Sequence, residues 1–335
     1  MHEIVARVYR GEGLESAHHG AIAVMDTDGN LTHYVGEVEF RTQARSEAKP
    51  FQAIPLLRTG AADHYGFSDK QLAVMCGSHT GTPEHVEVVA SNLAAAGLDE
   101  SNLKCGVHPP LYYTVENRLP RADETFSPLQ HNCSGKHSGF LALARFLQED
   151  VGVYLDPNSK TQQLVLDAIS EMYDFPRDQI TIGIDGCSAP VFGMPLKQAA
   201  IAFARLANGV AKDEKTRHVL RRIKAAMTTY PEMVSGPGRF DLALARTFPD
   251  NVVNKIGAEG IEGIGFSDPP IGIAVKILDG NARALYPVVV EVLKQLGLLD
   301  GIDLTHLAPF ISPEVTNWRK LIVGRIEAGF ELKKT

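Results

Sequence analysis

The chain has 335 residues, 44% hydrophobic and 22% charged, the proportions of an ordinary soluble globular protein. Its formal net charge of −7 argues against a nucleic-acid-binding protein. No apolar run approaches the ~20 residues of a membrane span. The opening Met1-His2-Glu3-Ile4-Val5 lacks the basic-then-apolar pattern of a signal peptide, so cytoplasm is the expected compartment.

In chain order, residues 3–9 and 20–36 read as strands, the second broken by the turn-rich Asp26-Thr27-Asp28-Gly29-Asn30 as in a hairpin. Helical spacing follows in 83–96, where Val86, Val89, Ala90 and Leu93 recur at three- and four-residue steps. It recurs after Gly135 (Phe140, Leu143, Ala144, Leu147), in 162–172 and in 196–207. Residues 180–184 form a strand that runs into Asp185-Gly186-Cys187. Residues 272–278 and 282–286 suggest a second hairpin around Asp279-Gly280-Asn281, followed by a helix from Pro287 to Leu296. Residues 318–332 read as a last strand. Strands at both chain ends with helices between predict an α+β fold with a largely antiparallel sheet. Length alone suggests two domains at ~100–200 residues each, but no linker is visible. The expectation is therefore a single unit over 1–335 with a helical lobe in the middle.

Four short stretches place reactive side chains beside turns. In Arg45-Ser46-Glu47-Ala48-Lys49-Pro50, Ser46 and Lys49 are three residues apart, on one side of a helical turn. A serine hydroxyl becomes a nucleophile when a base takes its proton, and a lysine of lowered pKa can be that base. Pro50 lacks an N–H and biases Lys49 away from α geometry, yet a 3₁₀ turn would still bring the pair together. Lowering the lysine pKa requires burial or a nearby cation, and Arg45, Lys136 and Lys255 are the candidate cations. The plainer reading is a helix start with a solvated lysine.

Cys76-Gly77-Ser78-His79-Thr80-Gly81 reads as a corner before the helix at Pro83, where Ser78 could relay a proton or bind substrate. Cys133, three residues before Lys136, and Cys187 could hold zinc through two thiolates and an unprotonated amine, leaving a fourth position open. The bland reading is a capping turn and a buried thiol. Cys76, Cys105, Cys133 and Cys187 are too sparse for a disulfide scaffold. Cys133, between His131 and His137, also admits a cysteine amidase. Lys255-Ile256-Gly257-Ala258-Glu259-Gly260 opens a Gly-rich run to Gly265, which reads as a loop that could approach a ligand closely but lacks the pattern of a dinucleotide site.

Together these segments resemble one family, the Rhizobium-type (inducible) L-asparaginases. The matching stretches are 45–57, 76–86, 131–144 (HNCSGKHSGFLALA), 184–196 (IDGCSAPVFGMPL) and 255–260, in the family's order. The resemblance implies a fold like serine β-lactamases and penicillin-binding proteins, a homodimer, and hydrolysis of L-asparagine to aspartate and ammonia. It implies zinc at Cys133, Lys136 and Cys187. It also implies a catalytic Ser46–Lys49 dyad and a second pair, Ser78 with Lys255. Arg45, His79, Asp185 and Arg239 are the candidate substrate contacts: Asp185 for the α-ammonium, and Lys255 or Arg239 for the α-carboxylate. The alternatives are the Cys133 amidase and a zinc-containing amino-acid-binding protein without turnover.

Overall fold

The computed structural model describes residues 2–335. The strands are β1 (Glu3–Arg10), β2 (Gly13–Asp26), β3 (Leu31–Val35), β4 (Arg41–Gln43), β5 (Thr181–Ile184) and β6 (Pro190–Pro195). They continue with β7 (Val252–Gly257), β8 (Ile261–Phe266), β9 (Ile271–Ile277), β10 (Glu314–Thr316), β11 (Ile322–Ala328) and β12 (Lys333–Lys334).

The main sheet runs β10-β11-β1-β2-β9-β8-β7, with β3 beside β2 and β12 beside β3; β4, β6 and β5 form a second, small sheet. All pairings are antiparallel. Strands from the two chain ends lie side by side, Ala6 opposite Ala328. The α+β architecture expected from the sequence is what the backbone adopts.

β2 organises the sheet. Its first half pairs with β1 and its second half with β9 and β3. Ala21, Ala23 and Met25 face one apolar core while Ile22 and Val24 face the other, the two-residue alternation of a strand covered on both faces. The helix Leu196–Asn208 packs against β2, β8 and β9, and the helix Ala282–Gln295 against β1, β9 and β11. Helices between residues 49 and 234 share the first core with Ala21, Ala23, Val253 and Ala274 of the sheet, so apolar packing is continuous from sheet to helices.

The helices at Pro83–Ala95, Ser134–Phe146, Lys160–Met172 and Leu196–Asn208 lie where the periodicity places them. Two expectations change. Residues 282–286 are not a strand but the first turns of a helix. Asn281 caps it by accepting from Arg283 N, and Ala284, Leu285, Val288, Val289, Val292 and Leu293 are its buried stripe. β9 already has β2 and β8 on its two edges, which leaves no slot for a hairpin partner. The Gly-rich run after Lys255 is not a loop but the hairpin β7–β8. Its glycines hide the strand signal, and they are required by close approach. A Cβ on Gly265 would lie 2.1 Å from Phe203 O, and one on Gly272 would lie 1.9 Å from Ala200 O, so the helix Leu196–Asn208 rests directly on the sheet backbone.

At the C-terminus, the single strand expected over 318–332 is the short pair β10–β11, with Trp318 fully exposed in the turn between them. Gly265→Ala is expected to lower the unfolding free energy by ~1–3 kcal/mol, the usual cost of overpacking. Urea unfolding measures it, and an unchanged midpoint would contradict the close packing described here.

Candidate active site

Ser46 lies on the 3₁₀ turn Arg45–Ala48, which the Lys49 backbone N–H extends by donating to Ser46 O. Lys49 keeps α geometry (φ −57, ψ −40) despite Pro50, because proline is tolerated in a first helical turn. Arg45, just before the serine, has φ +52, a left-handed conformation that costs a non-glycine residue free energy and clusters at functional sites. Ser46 and Ser78 open onto one cleft of about 270 Å³, lined also by Leu111, Asn132, Arg239, Gly257, Ala258, Glu259, Gly280, Ala282 and Tyr286.

Lys49 lies beneath this cleft, wholly buried. Its Nζ reaches Gly77 O at 2.7 Å, Ser78 Oγ at 2.9 Å and Asn132 O at 3.1 Å. Among the described residues no hydrogen bond joins Lys49 to Ser46. The expected direct dyad contact is therefore corrected: the lysine bonds the serine 29 residues away, not the one three residues away. Burial, aided by Lys255 and Lys136 and opposed chiefly by Cys133, brings the Lys49 amine down to about 8. Of the three candidate cations, Lys255 and Lys136 are the ones that lower it most.

The Ser78 corner is held by Ser78 N to Val234 O (2.8 Å) and Thr80 N to Ser235 O (2.9 Å). Gly77 is needed there, since a Cβ would lie 2.6 Å from Met233 O. Lys255 does not pair with Ser78. It is buried, with Nζ 3.4 Å from Asp241 Oδ2 and 2.7 Å from Ile256 O. Burial lowers its pKa, against Asp241 and Glu262, while burial holds the Glu262 carboxyl well above its ordinary range. His79, another candidate substrate contact, is not among the residues lining the cleft. It is buried, stacked on His85 at 4.9 Å between ring centroids, and its Nε2 lies 2.9 Å from Ser134 Oγ. It joins the 76–80 corner to the helix Ser134–Phe146.

Behind Asn132 lies a second cluster. Ligand atoms of Cys133, Asp185 and Cys187 all fall within 4.8 Å of one another. Lys136 Nζ is 3.1 Å from Cys187 Sγ, and Arg45 Nε is 2.6 Å from Asp185 Oδ1. The interaction with Cys187 draws the Cys133 thiol well below its ordinary value, and the same interaction pushes Cys187 up. Although burial disfavours its charge, Lys136 is raised by Cys187, Cys133 and Asp185. Two sulfurs, a carboxylate and an amine in one buried pocket are a donor set that suits zinc.

Neither histidine serves the Cys133 thiol. His131 Nδ1 accepts from the Cys133 backbone N–H at 2.9 Å, and His137 Nδ1 lies 2.8 Å from Tyr154 Oη. Cys133 does not line the cleft. Asp185 is likewise outside the lining residues and is committed to Arg45, whereas Arg239 does line the cleft. Asn132, Glu259 and Tyr286 were given no role by sequence reasoning. Asn132 and Glu259 lay inside the quoted segments, and Tyr286 in the misread strand.

A model of the L-asparaginase II family matches residues 6–328. The chain belongs to that family. Its members are hydrolases acting on amides. No curated protein matches the chain. Among solved structures, it is similar to a protein titled Mglu in its native form, at 16% identity and TM-score 0.46, over 84% of this chain and 65% of the other. It is also similar to a β-lactamase from Mycobacterium bovis, at 14% identity and TM-score 0.40, over 82% of this chain and 94% of the other. The chain thus spans about 65% of the length of the first of these. No helix among the described residues is long and apolar enough to cross a membrane.

Glu47 sits between Ser46 and Lys49 in sequence and is wholly buried. Burial pushes its carboxyl up to about 8, against the Tyr173 hydroxyl, which donates to Oε1 at 2.8 Å, and against Lys255. A raised folded-state value contributes stability below the unfolded value of 4.5, lost as pH climbs to about 8. Glu47→Gln is therefore expected to gain on the wild type in urea midpoint between pH 5 and pH 8. Parallel midpoints over that range would show Glu47 ionised in the folded state.

Proposed function

We propose that the chain hydrolyses the side-chain amide of L-asparagine to aspartate and ammonia, with Ser46 as nucleophile. The observation that carries this reading is that Ser46 and Ser78 open on one cleft with Lys49 bonded beneath Ser78, in a chain of the L-asparaginase II family. A neutral Lys49 keeps two N–H bonds, to Gly77 O and Asn132 O, and offers its lone pair to the Ser78 hydroxyl. Ser78 is then the hydroxyl that carries the proton between the two dyad members. As the Ser46 oxygen attacks the amide carbon, its proton passes to Ser78 Oγ and the Ser78 proton passes to Lys49. The protonated lysine returns a proton through Ser78 to the departing ammonia. Water follows the same route in reverse to release aspartate from the acyl-enzyme. The oxyanion rests against backbone N–H groups at the Ser46 turn and at Gly257–Ala258, both on the cleft wall.

Cys133, Lys136 and Cys187 are the proposed zinc ligands, with Asp185 beside them. Lys136 must give up its proton to bind. When present, the ion supplies fixed positive charge and Lewis acidity next to the cleft. The chain's own residues then do what their positions allow: Arg45 holds Asp185, and Asn132 links the cluster to Lys49.

Ammonia release from L-asparagine tests the activity. Ser46→Ala is expected to lower kcat at least ~10³-fold, and Ser78→Ala ~10²–10⁴-fold, the range of a proton-transfer group. Because the neutral amine is the base, kcat/KM is expected to rise with pH to about 8 and then level off. A Ser78→Ala variant with near-wild-type kcat would overturn the relay. Metal analysis should find zinc in the wild type and less in Cys187→Ser; equal contents would remove that ligand assignment.

A further inference from the structure

The cleft carries two opposite charges that the fold leaves unmatched. Arg239 caps the helix Phe240–Thr247 and lines the cleft. Glu259 stands on the tip of the β7–β8 hairpin, at φ +64, and lines the same cleft. Among the described residues neither side chain has a hydrogen bond or an ion pair, with each other or with any third group. Most other charged groups around the site are committed: Arg45 to Asp185, Lys255 to Asp241, Lys136 to Cys187. Lys276, which feels the charge of Glu259, spends its Nζ on the backbone carbonyls of Glu259 and Ile277.

The Glu259 side chain is exposed but lies against the next loop. A Cβ on Gly280 would sit 2.5 Å from its Oε2, so the carboxylate packs against a bare glycine on the next loop, and Gly280 itself lines the cleft. On the same wall, Tyr286 is held by a stacked Phe240 (4.8 Å) and an edge-on Phe310 (5.4 Å).

Resting on the amidase reading above, we infer that Glu259 and Arg239 form a clamp for the head of a free α-amino acid, Glu259 taking the α-ammonium and Arg239 the α-carboxylate. This reassigns the ammonium from Asp185, whose carboxylate is bonded to Arg45 and is not on the cleft wall. It defines a substrate class by the head group and leaves the leaving group open. Free asparagine and a β-aspartyl peptide both present that head. An N-acylated asparagine, or one inside a peptide chain, does not. An unpaired carboxylate facing a capped, neutral nitrogen would stay unmatched, which is how a site rejects the wrong ligand.

Titration calorimetry of L-aspartate and succinate tests the clamp without requiring turnover. The two ligands differ only in the ammonium. Against wild type, Glu259→Gln is expected to weaken L-aspartate at least ~10-fold and to leave succinate no weaker, with Glu259→Asp recovering part of the loss. Arg239→Gln is expected to weaken both ligands. Equal L-aspartate affinity in wild type and Glu259→Gln overturns the clamp, as does a wild type that binds no L-aspartate. Ammonia release from L-asparagine is measured on the same wild-type sample. If it is absent while the affinity pattern holds, the hydrolase reading fails and the clamp stands; if it is present while the pattern fails, the reverse is true.

Discussion

Everything at this site depends on one buried amine that has only neutral oxygens for company. Lys49 Nζ meets two backbone carbonyls and a hydroxyl. No carboxylate bonds to it, so the several kcal/mol that a buried ion costs are offset only in part, by the more distant Cys133 and Cys187. The amine answers by giving up its proton more readily. Lys136 makes the comparison within the same molecule: it is equally buried, yet two thiols and Asp185 hold its proton on. The two lysines share a residue type and a burial. Their neighbours alone make one a candidate base and the other a cation that would need a metal to displace its proton.

Lys49 and its three partners come from three separate segments, and the fold has to deliver each. The 3₁₀ turn aims the lysine inward, the Gly77 corner presents a carbonyl and Ser78, and the start of the helix Ser134–Phe146 brings Asn132. Glycine permits two of these approaches. Gly77 sits against the backbone of Met233 and Val234, and Gly135 against Val74 O, where a Cβ would be 2.2 Å away. The hairpin β7–β8 and the loop at Gly280 then close the cleft on the opposite side. The sheet serves the chemistry by holding these loops at one edge.

Local spacing showed much of this in advance, and its failures are as informative. The serine–lysine turn and the helices with apolar stripes could be read from residues near one another in the chain, whereas the grouping of Cys133 and Lys136 with Cys187, 51 positions on, was implied by the family resemblance. Which partner each charged group chooses could not. Lys49 reaches Ser78 and not Ser46, Lys255 reaches Asp241 and not Ser78, and Asp185 goes to Arg45, 140 positions away. Such pairings are set by packing between distant segments, to which a motif is blind. The strands β7 and β8 were missed because Gly263 and Gly265 dilute the pattern, and a Gly-rich run looks like a loop until a helix is seen lying on it. Glu259 was missed for the same reason: it was read as part of that loop and not as the tip of a hairpin facing the serines.

The protonation state of Lys49 is the quantity on which the account stands. It can be read directly by carbon-13 NMR of ε-labelled lysine in the zinc-loaded protein, with the resonance assigned by its loss in Lys49→Arg. The account requires that resonance to titrate near 8. A midpoint at or above the ordinary lysine value of 10.5 would mean a permanently charged amine, and with it no base for either serine.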